Sequence, residues 1–124
     1  VKKEGESFSI YSNCGQIKEE ISLKDHINKC LNCGAGEIFI NSIDKDGLMK
    51  GCDLELIRYL SEKKINIIYC GGVGNFKDLQ ILFNFDNIKA AGCSSLFNFG
   101  DNNPIRAKQY LMNYFNDFKI IDNL

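Results

Sequence analysis

Residues 8–12 (Phe-Ser-Ile-Tyr-Ser) alternate apolar and polar side chains with the period of a half-buried strand, and Asn13-Cys14-Gly15 ends them with turn residues. Ser22 then opens a predicted helix. Asp25 stands three residues later, as in a capping box, and Leu23, Ile27, Cys30 and Leu31 recur at helical spacing until Gly34. Residues 37–41 (Glu-Ile-Phe-Ile-Asn) are too short a run for a core helix and predict a buried strand, followed by the loop Asp44-Lys45-Asp46-Gly47. Asp53 caps the next helix, with Leu54, Ile57 and Leu60 as its apolar stripe. Residues 65–69 make a third strand, which Gly71-Gly72-Val73-Gly74 ends. Asn75 begins a helix with Leu79, Leu82 and Phe83 facing inward. Residues 88–93 read as a fourth strand ending in Ser94-Ser95, and Asn103-Pro104 starts the last helix, because proline is preorganised for a first helical turn.

The order strand, helix, repeated four times with short connections and no low-complexity linker, predicts one parallel α/β sheet over residues 1–124. Four strands are few for a doubly wound domain. The other solution is a (βα)4 half of an eight-stranded TIM barrel, whose full length is typically about 250 residues.

Composition narrows the classes. Of 124 residues, 44% are hydrophobic and 25% charged, the balance of a folded globular domain, which excludes disorder. Charged residues or Gly/Asn turns break every apolar run before the roughly 18 residues a membrane helix needs. Fifteen basic and sixteen acidic side chains leave a net charge of −1, so no general attraction for nucleic acid or an anionic membrane is expected, and any anion must be held locally. Six cysteines are present, four of them (Cys30, Cys33, Cys70, Cys93) in or beside apolar segments, where free cysteine behaves as a small hydrophobe. Reduced thiols and a cytoplasmic setting are the expectation. The start, Val1-Lys2-Lys3-Glu4-Gly5, shows neither an initiator Met nor a signal-peptide apolar region, which suggests a beginning part-way through a longer polypeptide.

In parallel α/β folds the carboxyl ends of the strands carry function. Those ends here hold Asn41-Ser42-Ile43-Asp44-Lys45-Asp46-Gly47, then Gly71-Gly72, then Cys93-Ser94-Ser95. Glycine lets backbone N–H groups approach an anion, and helix starts carry unsatisfied N–H groups, so a phosphate fits the pattern. A plain tight turn would also explain Gly71–Gly74. Ser94-Ser95-Leu96-Phe97 suits the short extra helix that often accompanies a barrel's phosphate site. Asp44 and Asp46 flank a loop glycine, but the remaining ligands of a calcium loop are missing, which leaves substrate contact or loop capping. Cys30-Leu31-Asn32-Cys33 is a single CxxC with His26 four residues upstream, short of a four-ligand zinc site. No nucleophilic triad assembles around His26, and no metal or cofactor is expected.

Gly34-Ala35-Gly36-Glu37-Ile38, Ser42-Ile43-Asp44-Lys45-Asp46-Gly47 and Gly51-Cys52-Asp53 together resemble the cyclase subunit family of imidazole glycerol phosphate synthase. Residues 68–74 resemble that family's seventh-strand end, residues 91–99 its eighth, and Ala107-Lys108-Gln109-Tyr110-Leu111 its last helix. The resemblance implies a (βα)8 barrel that takes ammonia from a glutaminase subunit, as a heterodimer. The barrel cyclises a bis-phosphorylated ribonucleotide to imidazole glycerol phosphate, releasing an aminoimidazole carboxamide ribonucleotide, in histidine biosynthesis. It further implies that Asp46, Gly47, Gly71, Gly72, Ser94 and Ser95, with Asn41 beside them, hold one substrate phosphate, and that Glu37 belongs to the charged gate where ammonia enters.

Aligned on the family, the chain begins within the fifth strand's hairpin extension and continues to the family's C-terminus. The expectation is the C-terminal half of a barrel. Both family catalytic aspartates match no residue here, so the chain alone is expected to be inactive, and its open edge strands are expected to self-associate. Leu48, Cys52 and Asn98 stand where the family usually has Thr, Tyr and His. These departures, with Asn41-Ser42 and residues 101–107, also resemble cyclase-like paralogues that pass ammonia to sugars for acetamidino modification of surface polysaccharide. A non-enzymatic, phosphate-binding half-barrel is the remaining alternative.

Overall fold

In the computed structural model, which describes residues 1–116, the chain builds two separate three-stranded sheets. The first is antiparallel: β1 (Lys2–Glu4), β2 (Ser7–Ser12) and β3 (Ile17–Ser22), in that order. Two residues, Gly5-Glu6, join β1 to β2. Between β2 and β3 the backbone takes positive φ at Asn13, Cys14 and Gly15 (48°, 56° and 81°), the conformation that Asn and Gly tolerate and that reverses a strand at once. Residues 8–12 are therefore a strand, as their alternation predicts, but one paired antiparallel on both sides. The parallel sheet has three strands rather than four.

Glu4 ties the three strands of this sheet together. Its carboxylate accepts hydrogen bonds from the Ser9 hydroxyl (2.7 Å) and the Tyr11 hydroxyl and pairs with Lys18. Lys18, then Tyr11 and Ser9, hold the Glu4 pKa at about 2, against an ordinary 4.5. A carboxylate lowered on folding contributes stability above about pH 4.5, and that contribution is lost as pH falls toward 2. Local loosening of the Tyr11 ring environment, followed by NMR on acidification, is expected in that window, and Glu4→Gln should flatten the curve. An unchanged acid limb in the variant would remove the assignment.

α1 (Leu23–Asn32) leads from the antiparallel sheet into the parallel one. Its cap is Ser22, whose hydroxyl accepts from the Asp25 N–H (3.1 Å). Asp25 in turn accepts the Ser22 hydroxyl proton instead of closing a capping box on the backbone. The complete box is at Asn75 and Asp78. Leu23 and Ile27 are buried as predicted, whereas Leu31 and Cys33 are exposed, since the helix turns its last residues away from the core.

β4 (Glu37–Asn41), β5 (Asn66–Cys70) and β6 (Ile88–Gly92) form the parallel sheet, with β5 central. α2 (Leu54–Ser61) and α3 (Phe76–Phe83) are its crossovers, and α4 (Ser95–Asn98) and α5 (Pro104–Leu111) follow β6. This is a partial (βα) barrel: successive parallel strands, each crossover helical. The alternation along the strands sends Ile40, Ile67 and Tyr69 toward the helices, where they bury with Leu56, Ile57 and Leu60. Leu56, absent from the predicted stripe of α2, is fully buried, while Leu54 packs only at the margin. A second apolar cluster of Val73, Leu79, Leu96, Ala107 and Leu111 fixes α4 and α5 beside the end of β6. Phe8 stacks on Tyr59 at 5.6 Å, which seats the antiparallel sheet on α2.

Candidate functional site

The carboxyl ends of β5 and β6 and the loop after β4 meet in one shallow pocket. Its lining includes Asp46, Gly47, Gly71, Gly72, Ser94 and Ser95. Six of the seven residues predicted for this site are thus brought together from three loops. The seventh, Asn41, lies just outside: its amide donates to Asp46 Oδ2 (3.0 Å) and it lines the adjoining recess under the β2–β3 turn. Glu37 sits exposed at the opposite, amino end of β4. The phosphate-site candidates and the gate candidate therefore lie at opposite ends of the strand.

Two glycines play different parts. A Cβ on Gly72 (φ +84°) would come within 2.2 Å of the Gly51 carbonyl oxygen, and the Gly51 N–H donates to the Gly72 carbonyl (2.9 Å). Gly72 is thus required for one loop to lie on the next. Gly47 (φ +74°) has nothing within 4 Å of its missing side chain, so its bare backbone opens on the pocket, the arrangement an incoming anion needs. The tight-turn reading of Gly71–Gly74 therefore has a packing reason at Gly72, while Gly47 leaves open backbone at the pocket.

The hydroxyls complete the lining. Ser94 Oγ accepts from the Asn98 side-chain amide (3.1 Å), which occupies a lone pair and leaves the hydroxyl proton available to an acceptor in the pocket. α4 is the short helix predicted after β6, anchored by the buried Leu96. Asn98, noted in the sequence only as a departure, is the residue that orients Ser94.

Asp44 and Asp46 point to different places. Asp44 accepts the Lys3 backbone N–H (2.7 Å) and so pins the loop to β1, while Asp46 reaches the pocket. Among the described residues no group of three or more His, Cys, Asp or Glu side chains is arranged to hold a metal ion, and His26 lies exposed on α1. All six cysteines are free. Burial pushes the Cys52 thiol up to about 12 and the Cys93 thiol up to about 11, so both stay neutral near physiological pH and pack as small apolar groups.

Below the pocket lies a buried polar cluster that periodicity did not reveal. Asp53 caps α2 through Oδ1 (Leu56 N–H, 3.1 Å) and accepts the Ser42 hydroxyl through Oδ2 (3.2 Å), and its own N–H donates to the Tyr69 hydroxyl (2.8 Å). Only Asp53 was legible in advance, as a cap.

Known proteins resemble this chain over most of its length. The sequence profile described as "Histidine biosynthesis protein" matches residues 1–102. The chain is 34% identical over 109 residues to imidazole glycerol phosphate synthase subunit HisF of Lactococcus lactis subsp. cremoris (strain MG1363), covering 87% of this chain and 42% of that protein. It is 35% identical over 113 residues to the HisF subunit of Dictyoglomus turgidum, covering 90% of this chain and 44% of the relative. The chain therefore spans less than half the length of the curated relatives it matches.

Proposed function

We propose, from the premise that this chain belongs to the histidine biosynthesis protein family, that it serves as part of a cyclase subunit of imidazole glycerol phosphate synthase. In this reading the pocket at the strand ends holds a phosphate of the ribonucleotide substrate. One observation carries it: Gly47, Gly72, Ser94 and Ser95, drawn from three loops, face a single pocket at the functional end of the sheet. An open glycine backbone, an available hydroxyl and the turn into α4 supply donors without a basic side chain, which suits a phosphate monoester bound within a barrel mouth.

The rest of the reaction follows from the same placement. In this reading Glu37, exposed at the amino end of β4, belongs to the gate that admits ammonia from a glutaminase subunit, and Asp46 and Asn41 stand between the phosphate pocket and the recess under the β2–β3 turn. The residues here hold and orient substrate. Proton transfer in ring closure needs positioned acid and base groups, which the family places on strands this chain does not match, so the 124-residue chain is expected to bind without turning over. The same reading places the protein in the cytoplasm.

Calorimetric titration of the chain with imidazole glycerol phosphate tests the reading. Saturable binding that inorganic phosphate displaces is the expected result. No displacement by phosphate would end it, and preference for an amidated sugar would transfer the chain to the polysaccharide branch.

A further inference from the structure

Tyr69 is fully buried on the helix-facing side of β5, outside the pocket at the strand ends, yet its hydroxyl is engaged by the residue that starts α2. Burial raises its pKa above the usual tyrosine range, so the group remains a neutral hydroxyl. The Ser42 hydroxyl donates to the carboxylate of that same Asp53 (3.2 Å), so Asp53 links the two. Ser42 (1% exposed) and Asp53 (7%) are the two buried polar residues among those described, and both belong to this cluster.

Ser42 is also the point from which the site loop hangs. Its N–H donates to the Cys70 carbonyl (2.9 Å), and its own carbonyl accepts the N–H groups of Lys45 (3.2 Å) and Asp46 (3.0 Å). The position of Asp46, and with it Gly47, is therefore set by Ser42. The position of the Ser42 side chain is set in turn by Asp53, which Tyr69 holds.

We propose that Tyr69 is a positioning residue for the pocket: through Asp53 and Ser42 it holds the loop of residues 42–47 in the shape that presents the Gly47 backbone to an anion. The inference rests on the phosphate reading of the pocket for its ligand, and on the hydrogen bonds alone for the loop. Preorganisation is the physical gain, since a loop already in its bound shape loses less freedom when the anion arrives. A phenylalanine at position 69 keeps the ring and its packing but removes the acceptor of the Asp53 N–H, leaving a buried donor unpaired.

Two readouts test this on the 124-residue chain: affinity for inorganic phosphate, from amide shifts in ¹⁵N NMR, and hydrogen exchange of the Lys45 and Asp46 amides without ligand. Tyr69→Phe is expected to weaken phosphate binding about tenfold. It should also speed exchange at Lys45 and Asp46 while Leu60 and Leu82 keep their protection. Ser42→Ala should do the same, and the double variant should lose little more, because both act through one connected cluster. Unaltered exchange at Lys45 and Asp46 in Tyr69→Phe, or additive effects in the double variant, would overturn the proposal. If the native chain shows no phosphate-dependent shift, the phosphate reading fails, while the exchange data still decide the positioning role. Should Tyr69→Phe fail to fold, Ser42→Ala carries both readouts, and normal exchange there would overturn the proposal equally.

Discussion

Replacing Gly72 by alanine is expected to destabilise the chain by about 3 kcal/mol and to close the pocket in the same step. About 1–2 kcal/mol comes from placing an L side chain in left-handed backbone, where Gly72 sits at φ +84°. The rest comes from contact. The new Cβ would lie 2.2 Å from the Gly51 carbonyl oxygen and 2.9 Å from the Lys45 Cβ, so the 44–53 loop must move and the Gly51 N–H must leave the Gly72 carbonyl. Urea unfolding checks this: a lower midpoint with an unchanged slope is the expected result. Gly36→Ala is the control, because its Cβ meets nothing within 4 Å and its φ is not positive. If Gly72→Ala matched the control, the loop-on-loop packing described above would be wrong.

That packing marks the boundary between what the sequence discloses and what it does not. Strand ends rich in Gly and Ser, helix caps at Asp53, Asn75 and Asn103, and the short helix after Ser94 are all local chemistry, and each was legible because a few consecutive residues determine it. The first 22 residues were harder. Asn13-Cys14-Gly15 reads as a turn, but in Ile17-Lys18-Glu19-Glu20-Ile21-Ser22 adjacent charges mask the alternation, so the returning strand β3 and the antiparallel sheet do not show in the sequence. In the site, Gly47, Gly72, Ser94 and Ser95 converge as the strand order required. The Ser42, Asp53 and Tyr69 cluster did not announce itself, because its members are separated by 11 and 16 residues and a tyrosine in an apolar strand looks like ordinary core. Pairing across elements is decided by register, and register is where a single sequence carries least information.

An aspartate in place of Ser94 should weaken phosphate binding at least roughly thirtyfold while leaving the fold intact, and the reasons for the two halves differ. Ser94 is exposed, and it makes no side-chain cap bond to α4, whose anchoring comes from Leu96 below. Stability should therefore change little. The pocket, by contrast, already contains the Asp46 carboxylate and no basic side chain among its lining residues. A second fixed negative charge about 4 Å from a bound phosphate, near the surface, is repelled by up to about 4 kcal/mol, and even half of that with partial screening lowers affinity roughly thirtyfold. Ser94→Ala, which removes only one neutral donor, should weaken binding by roughly fivefold. Titration of both variants with a phosphate monoester gives the ordering native, alanine, aspartate, and the aspartate loss should shrink at high salt because its origin is Coulombic. Equal binding by the native and aspartate chains would show that the anion is not held at the β6 end at all, and the functional assignment of this pocket would fall with it.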